Sequence, residues 1–344
     1  MTNFIIPFIV SLLISFALAP LVIFFVKKQR ILDVPDQERK KHKKPIPLLG
    51  GIVIFCAFFL VLGYFSYTGE LFKDFIRSEY IIGMFVGGLI LVFGGYLDDK
   101  YNLKPQYQII FPILAALAIV FSGINISHIR NPFGGTIHFG FFAMPITFVW
   151  LIGMMYTTKF LDGLDGLTVG ITTIGAFVIF LVCLLPFVHQ FDTALIAIIF
   201  TGVLLGFLPW NFHPARIFLG EGGSVFVGFI LGTLAVISGS KVATTLLVMG
   251  IPILDVAWVI FRRIFWEKKS PALGDRKHLH FRLLDIGLSH RQAVSLLYLF
   301  AILFGGISLL LQTKEKAIAL GFLVALMIVV AFTVVRVYKK RLYE

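Results

Sequence analysis

The fold is decided by the stretch from Tyr80 to Lys100, which reads YIIGMFVGGLILVFGGYLDDK. Its first part, residues 80–97, contains no charged side chain, and about 20 apolar residues are enough for a helix to cross a bilayer. Two carboxylates and an ammonium group, those of Asp98, Asp99 and Lys100, follow this run at once. We therefore predict a membrane-spanning helix over 80–97 that ends in charged residues at the membrane surface.

The composition of the whole chain agrees with this local pattern. Of the 344 residues, 58% are hydrophobic and 14% are charged, whereas about 25% of the residues of a soluble domain are charged. The mean hydropathy is +0.95. These values exclude a secreted disulfide scaffold, a disordered chain and an ordinary soluble enzyme, and they predict an integral membrane protein. Cys56 and Cys183 lie inside apolar runs and are interpreted as small buried side chains.

Eleven stretches are long and apolar enough to be membrane spans. They are 4–26, 50–68, 80–97, 107–127, 141–158, 166–188, 193–212, 222–240, 242–261, 292–313 and 317–335. Little of the chain remains outside them, so we predict one all-α integral membrane domain over residues 1–344 with about 11 transmembrane helices. The ninth stretch contains Asp255, and a carboxylate inside a span is expected to line or support a polar cavity.

The basic residues assign each loop to a side of the membrane. Loops on one side, counted together with the C-terminal tail from Arg336, carry 24 of the 30 Lys and Arg residues, and loops on the other side carry 6. Because cytoplasmic loops are enriched in Lys and Arg, we predict an outer N-terminus and an inner C-terminus. The predicted inner loops are 27–49, 98–106, 159–165, 213–221 and 262–291. On the outer side, Ile126–Arg130 and Thr136–Phe139 flank Gly134-Gly135, which predicts a short periplasmic hairpin or, alternatively, a plain loop.

Two acidic motifs lie in the predicted inner loops. Asp98 and Asp99 are adjacent carboxylates that repel each other unless a cation joins them, so they suit a divalent metal or a general base. Asp162 and Asp165 are three residues apart, a spacing that places both on one face of a helix, and Gly163 lets a ligand approach closely. A solvated helix end for the first pair and a capped turn for the second are the alternatives.

Two further inner motifs suit a phosphate group. The run Gly220-Glu221-Gly222-Gly223-Ser224 opens a predicted span, and the start of a helix offers free N–H groups to an anion, with Glu221 as a candidate ligand of a bridging cation. His278 and His280 lie in the basic stretch 276–282, which suits a pyrophosphate or, alternatively, anionic lipid headgroups. Together the motifs predict a metal-chelated phosphate substrate and a lipid partner at the inner face.

In this order, the motifs resemble those of the polyprenyl-phosphate N-acetylhexosamine-1-phosphate transferases of glycosyltransferase family 4, and in particular the undecaprenyl-phosphate GlcNAc-1-phosphate transferase branch. The resemblance covers the chain from about Asp33 to Arg282. The motifs that carry it are Asp33-x-Pro35-x-x-x-Arg39, His42-x-x-Pro45-x-Pro47-x-x-Gly50-Gly51, Asp98-Asp99, Pro132-Phe133-Gly134-Gly135, Asp162-Gly163-x-Asp165-Gly166-Leu167 and His278-x-His280. Eleven spans with the C-terminus inside are also similar to this branch.

The resemblance implies a single phosphoryl exchange at the cytoplasmic face of the bacterial inner membrane. A sugar-1-phosphate, expected to be GlcNAc-1-phosphate, passes from a UDP-sugar to polyprenyl (undecaprenyl) phosphate with release of UMP. This reaction would be the first membrane step of cell-envelope polysaccharide assembly. The implied cofactor is Mg2+, for which Mn2+ can substitute. The implied partners are the UDP-sugar, the polyprenyl phosphate lipid and the membrane, with a homodimer as a candidate assembly and no nucleic acid.

The resemblance also implies roles for particular residues. Asp98 would act as the base on the lipid phosphate and Asp99 as its partner on the metal side. The implied catalytic residues are Asp98, Asp99, Asp162, Asp165, His278 and His280. The implied substrate-binding residues are Arg39, His42, Lys104, Lys159, Gly220, Arg276 and Arg282. The implied metal ligands are Glu221, Asp99 and Asp162.

Several positions depart from the family pattern. Tyr156 and Lys159 stand where the family usually has Asn. Gln108 stands where it usually has Lys, and Glu221 stands where it has the metal-binding Asp. One interpretation is compensation, in which the cation lost at Gln108 is regained at Lys159 and Glu221 reaches further to the metal. The other is a divergent member that uses another UDP-N-acetylhexosamine or has weak activity.

Two functions of other classes are alternatives. A membrane transporter of a phosphorylated substrate would also carry carboxylates inside its spans, but its site is expected near the middle of the membrane, whereas these motifs gather on one side. A non-catalytic lipid-binding or scaffold protein is favoured only by the departures at Lys159 and Gln108.

Overall fold

The computed structural model describes residues 2–35, 45–74, 76–186, 188–238, 242–268 and 277–343, and most of them are helical. The helices are α1 (Thr2–Gln29), α2 (Gly50–Tyr67), α3 (Ser78–Tyr101), α4 (Pro105–Gln108), α5 (Ile110–Phe121), α6 (Ala143–Leu161), α7 (Leu167–Cys183), α8 (Phe191–Asn211), α9 (Gly220–Ile237), α10 (Val242–Val248), α11 (Gly250–Arg262), α12 (Leu279–Asp285), α13 (His290–Leu310) and α14 (Thr313–Tyr343). A π-helical turn, Arg263–Glu267, continues α11. The prediction of an all-α integral membrane protein is confirmed.

Seven of the described helices are long and apolar enough to cross a membrane by themselves, namely α1, α2, α3, α6 with its preceding turn, α8, α9 and α13. The pair α10 and α11 forms a broken span that bends by 80°, and Pro105–Phe121 and Leu167–Cys183 are shorter apolar helical stretches. The break before α11 follows from Pro252, which has no amide hydrogen with which to continue the hydrogen-bond ladder of α10. Each of the eleven predicted stretches contains a helix, but their number as full crossings stays a prediction.

The centre of the molecule is formed by α8 and α9. In each of them, 83% of the apolar window is buried inside the protein, and Phe200, Phe207 and Phe226 are completely buried. Helices α1 and α7 pack against α8, whereas α3 and α6 pack against α9. The outer helix α1 has the highest mean hydropathy of these spans, 2.8, yet only 22% of its apolar window is buried. Its apolar side chains therefore point away from the protein, as expected of a helix at the lipid boundary.

Glycines let α2, α3 and α9 approach backbone to backbone near the start of α9. A Cβ atom on Gly95 of α3 would lie 2.1 Å from the Cα of Gly222, and a Cβ atom on Gly51 of α2 would lie 2.3 Å from the Cα of Gly223. Small residues allow this kind of close contact between membrane helices. The contact places the end of α3, which carries Asp99, beside the first turn of α9.

Two pairs of short antiparallel strands lie in the loops. Strand β3 (His128–Arg130) pairs with β4 (Thr136–His138) where the outer hairpin was predicted, although the side of the membrane on which it lies stays a prediction. Strand β1 (Leu32–Asp33) pairs with β2 (Ile46–Pro47), a contact that the sequence did not predict. The Phe218 amide also donates to the carbonyl of Pro47 at 2.9 Å. The first predicted inner loop is thus anchored next to the start of α9.

We expect the Gly95→Ala variant to be less stable than the unsubstituted protein. The added methyl group would force α3 and α9 apart, and overpacking of this kind costs about 1–3 kcal/mol. The control is Gly63→Ala in α2, where an added Cβ would meet no atom within 4 Å. Thermal unfolding in detergent should give a lower midpoint for Gly95→Ala and an unchanged or higher midpoint for Gly63→Ala. Equal midpoints for the two variants would contradict a tight contact between α3 and α9.

Candidate active site

Carboxylates from three helices gather at one end of the bundle. Asp98 and Asp99 lie in the last turn of α3, Asp162 directly follows α6, and Glu221 lies in the first turn of α9. Asp99 is close enough to the other three for their charges to repel one another. Like charges that are partly withdrawn from water in this way require cations or protons to balance them.

Asp99 is held beneath the start of α9. Its Oδ1 accepts a hydrogen bond from the backbone N–H of Glu221 at 3.2 Å. Its Oδ2 faces Gly220, where a Cβ atom would lie only 2.3 Å from it, and Gly220 also has a positive φ of 72°. The residue type at this position is thus dictated by the carboxylate and by the backbone conformation. One amide of the Gly-rich motif is therefore already taken, and its predicted contact with a phosphate stays a prediction.

The second oxygen of Asp99 identifies a position for a cation. Among the described residues, Asp99 Oδ2 is a fully enclosed atom without a hydrogen-bond partner. A buried carboxylate oxygen that lacks a donor is costly, and a bound cation removes that cost. The neighbouring carboxylate of Asp162 can supply a second oxygen. Asp99 and Asp162 therefore suit their predicted role as Mg2+ ligands, because magnesium prefers carboxylate oxygens.

Asp98 is fixed through one of its two oxygens. Its Oδ1 accepts hydrogen bonds from the backbone N–H of Leu103 at 2.8 Å and from Nε2 of Gln108 at 3.0 Å. The same carboxylate lines a small cavity together with Gln108, Lys159 and Glu221. Because both protein donors use Oδ1, the arrangement sets the orientation of the carboxylate that the resemblance implies as the base.

The residues that depart from the family pattern lie in contact with one another. Nζ of Lys159 is 2.7 Å from Oε2 of Glu221 and 3.0 Å from Oε1 of Gln108. The side chain of Lys159 is largely buried, with 18% of it exposed. The predicted metal ligand Glu221 thus has one of its oxygens engaged by an ammonium group.

The titration of Asp162 reflects its crowded surroundings. Burial of the carboxyl group and, next, the negative charge of Glu221 raise the pKa of Asp162 to about 7. Without a bound cation, the carboxyl is therefore partly protonated near neutral pH. This is the behaviour expected of a group that gains stability when a divalent cation arrives.

Asp165 does not share a face with Asp162, so that prediction is wrong. Residues 162–166 form a turn between α6 and α7 instead of a helix. A turn at this position was the alternative interpretation of the motif. Oδ2 of Asp165 lies 2.7 Å from Nδ1 of His213 and accepts from the backbone N–H of Ala215 at 3.2 Å. Asp165 therefore orders the loop after α8, whereas Asp162 joins the other carboxylates.

Asp165, His213 and His290 form a second polar cluster, in which single ligand atoms lie close enough together to suggest a metal site. The two imidazole rings are stacked, with centroids 4.1 Å apart and planes inclined by 14°. The lone pairs of stacked rings lie in parallel planes and do not converge on one ion. The arrangement therefore does not provide the converging ligands that a metal needs.

The two predicted histidines are held by Asp255 and by the turn after α6. Oδ2 of Asp255 lies 2.8 Å from Nδ1 of His278, and its Oδ1 accepts from the backbone N–H of Leu279 at 2.9 Å. His280 stacks on His278 and lies beneath Gly163, where a Cβ would be 2.3 Å from its Nε2. Burial lowers the pKa of His280 to about 3, so its ring is neutral at pH 7. Asp255 thus supports the site as its position in the span suggested.

The remaining predicted site residues lie at the edge of this arrangement. Lys104 is exposed at the start of α4. Arg282 lies on α12, where its Nε donates to the carbonyl of Lys277 at 3.0 Å. Arg39, His42 and Arg276 lie outside the described residues, so their predicted roles stay predictions.

Asn211, which lies outside the predicted site residues, ties two parts of the site together. Its Oδ1 accepts from the backbone N–H of Gly166 at 3.1 Å, and its Nδ2 donates to the carbonyl of Ile217 at 3.0 Å. The side chain is almost completely buried. An amide at the last position of an apolar helix was the available signal, because a buried polar side chain has to find partners.

Comparison with known proteins identifies the family. The family model described as "Glycosyl transferase family 4" matches residues 81–239, a range that contains all four clustered carboxylates. The chain is 32% identical to the probable undecaprenyl-phosphate N-acetylglucosaminyl 1-phosphate transferase of Bacillus subtilis, over 96% of this chain and 90% of that protein. The chain belongs to glycosyltransferase family 4, and the family predicted from the motifs is confirmed.

Two further relatives cover most of both chains. The decaprenyl-phosphate N-acetylglucosaminephosphotransferase of Mycolicibacterium smegmatis is 31% identical, over 86% of this chain and 79% of that protein. The undecaprenyl-phosphate alpha-N-acetylglucosaminyl 1-phosphate transferase of Thermotoga maritima is 30% identical, over 93% of this chain and 94% of that protein.

We expect the Asp255→Asn variant to release the loop that carries His278 and His280. Leu279 and the His278 ring contact different oxygens of Asp255, and an asparagine has only one oxygen, so one of the two contacts is lost. A hydrogen bond to a charged group is worth about 1.5–3 kcal/mol. The measurement is the rate at which diethyl pyrocarbonate modifies the two histidines, followed by mass spectrometry. This rate should rise by about tenfold or more in the variant.

The matched control is the Asp192→Asn variant. Asp192 likewise uses both of its oxygens, which accept from the backbone N–H groups of Lys73 and Asp74, but it lies at the start of α8. Its substitution should leave the modification rate of His278 and His280 unchanged. Equal rates in both variants would show that Asp255 does not hold the histidine loop.

Proposed function

We propose that this protein transfers GlcNAc-1-phosphate from UDP-GlcNAc to polyprenyl phosphate and releases UMP. The observation that carries the proposal is the cluster of Asp98, Asp99, Asp162 and Glu221 at one end of a bundle of membrane helices. Such a cluster suits a cation-bound pyrophosphate presented next to a lipid. The relatives' names supply the sugar and the polyprenyl acceptor.

The proposed reaction makes one bond to phosphorus and breaks another. Asp98 takes a proton from the lipid phosphate. The phosphate oxygen that loses this proton then bonds to the β-phosphorus of the UDP-sugar. The bond from that phosphorus to the oxygen bridging it to the α-phosphorus breaks, and UMP leaves with this oxygen. Leu103 and Gln108 hold Oδ1 of Asp98, so that the proton passes to Oδ2.

Other residues bind or orient the reacting groups. A Mg2+ ion held by Asp99 and Asp162 would, when bound, offset the charge of the donor pyrophosphate. Lys104 and Arg282 are placed to attract phosphates at the rim of the site. The neutral ring of His280 supports the turn that carries Asp162.

We also propose that the whole chain forms one domain with eleven spans and that its site faces the cytoplasm of a bacterial cell. The excess of Lys and Arg in the loops next to the carboxylates supports this orientation. A transporter is less well supported, because the cluster of Asp98, Asp99, Asp162 and Glu221 lies at the ends of its helices and not at their middle.

Purified protein given UDP-GlcNAc, polyprenyl phosphate and Mg2+ should release UMP. The Asp98→Asn variant should lower kcat by at least about 100-fold, since a general base contributes roughly 10²–10⁴ to the rate. The control is Asp285→Asn, which removes an exposed carboxylate at the end of α12 and should leave the kinetics unchanged.

Two results would contradict these assignments separately. Absence of UMP with every one of several UDP-sugars, in the presence of the lipid acceptor, would refute the transferase. Near-native turnover by Asp98→Asn would refute Asp98 as the base and leave the transferase standing.

The proposed orientation can be tested by labelling single cysteines in a Cys56→Ala, Cys183→Ala background. Phe133 is 93% exposed in the turn between β3 and β4, and Lys104 is exposed at the other end of the bundle. A membrane-impermeant maleimide should label the Phe133→Cys variant in intact cells. It should label the Lys104→Cys variant only after the membrane is permeabilised. The reverse pattern would place the site outside.

A further inference from the structure

Four side chains form one continuous chain of contacts across the site. Asp98 on α3 accepts from Nε2 of Gln108 on α4, at 3.0 Å. Oε1 of Gln108 accepts from Nζ of Lys159 on α6, also at 3.0 Å. Nζ of Lys159 is in turn 2.7 Å from Oε2 of Glu221 on α9. The chain thus begins and ends in a carboxylate, with an amide and an ammonium group between them.

The ammonium group and two acceptors next to Gln108 together determine the direction of every bond in this chain. A lysine side chain donates and cannot accept, so the oxygen of Gln108 has to face Lys159. The amide nitrogen of Gln108 then faces Asp98 Oδ1 and the carbonyl of Leu103, and it donates to both at 3.0 Å. Lys159 therefore contributes to the orientation of Asp98 through Gln108, without touching Asp98.

The same three contacts could form if positions 108 and 159 exchanged their residues. A lysine at position 108 would donate to Asp98 and to the oxygen of a glutamine at 159, whose amide nitrogen would donate to Glu221. Two amides in the middle would leave both carboxylates without a positive charge. Two ammonium groups about 3 Å apart would repel each other strongly.

We propose that Gln108 and Lys159 act as one positioning unit, which requires a single ammonium group but does not depend on which of the two residues carries it. The proposal rests on the proposed function, in which Asp98 is the base. The departures from the family pattern at Gln108 and Lys159 then compensate for each other, because the pair keeps one ammonium group. Lys159 is a positioning residue that holds Glu221 directly and Asp98 through Gln108.

The ammonium group also has a predictable effect on Mg2+. It engages Glu221, whose negative charge reaches Asp99 and Asp162, so Mg2+ is left to those two carboxylates and the ammonium group cancels part of the negative charge that attracts the ion. Removing this charge should therefore strengthen Mg2+ binding even while it misaligns Asp98 and slows the reaction. A merely structural lysine would not produce opposite changes in these two quantities.

The experiment compares the unsubstituted protein with Lys159→Gln, with Gln108→Lys and with the exchanged double variant. We expect Lys159→Gln to lower kcat about tenfold or more, as for the loss of a hydrogen bond to a charged group, and to lower the Kd for Mg2+ severalfold. Gln108→Lys should also lower kcat but raise the Kd for Mg2+, because it adds a positive charge. The double variant should return both quantities to within about threefold of the original values.

The control variant is Lys73→Gln, which removes an exposed lysine paired with Glu70 away from the site. It should change neither kcat nor the Kd for Mg2+, which is measured by calorimetry without donor or acceptor. If Gln108→Lys does not fold, Lys159→Gln and the double variant still decide the question.

The proposal is overturned if the double variant is no more active than the worse single variant, or if Lys159→Gln keeps near-native kcat. It is also overturned if Lys159→Gln weakens Mg2+ binding. If the unsubstituted protein releases no UMP from any donor, the proposed function fails. The order of the four Mg2+ Kd values would then still test whether the pair needs one ammonium group.

Discussion

The start of α9 touches the end of α3 because Gly95 and Gly222 leave room for two backbones to meet. Helices separated by ordinary side chains pack with their axes about 8–10 Å apart, which would leave Asp99 out of reach of the amide of Glu221. The glycine contact instead places the Asp99 carboxylate under the first turn of α9. The carboxylate of Asp162 then joins from α6, which packs on the same central helix. The geometry of the whole site depends on this close approach.

Once the carboxylates are gathered, their charge has to be balanced inside a low-dielectric surrounding. Lys159 supplies an ammonium group to the cluster, and the raised pKa of Asp162, about 7, lets that carboxyl take up a proton near neutral pH. The unpartnered oxygen of Asp99 leaves a position for one more cation. A site with this deficit of positive charge attracts a divalent metal, and a metal in turn allows an anionic donor and an anionic acceptor to approach each other.

Much of this could be predicted from the sequence alone. Long apolar runs identify membrane helices without reference to tertiary structure, and the order of the acidic, glycine and histidine motifs was sufficient for the family. The shared face of Asp162 and Asp165 was predicted wrongly, because a spacing rule for helices applies only where a helix exists. Residues 162–166 form a turn, and Asp165 consequently faces His213.

Composition determines that this is a membrane protein, because the free energy of burying apolar side chains in lipid depends little on their orientation and can be summed along the chain. The order of the motifs then determines the family. The contact between Gln108 and Lys159 joins residues 51 positions apart and depends on how α4, α6 and α9 pack. From the sequence, these two residues were departures from a pattern that could compensate for each other, with no sign that they were in contact. Only the tertiary structure shows that they form one hydrogen-bonded pair, because hydrogen bonds require particular atoms at particular distances and angles.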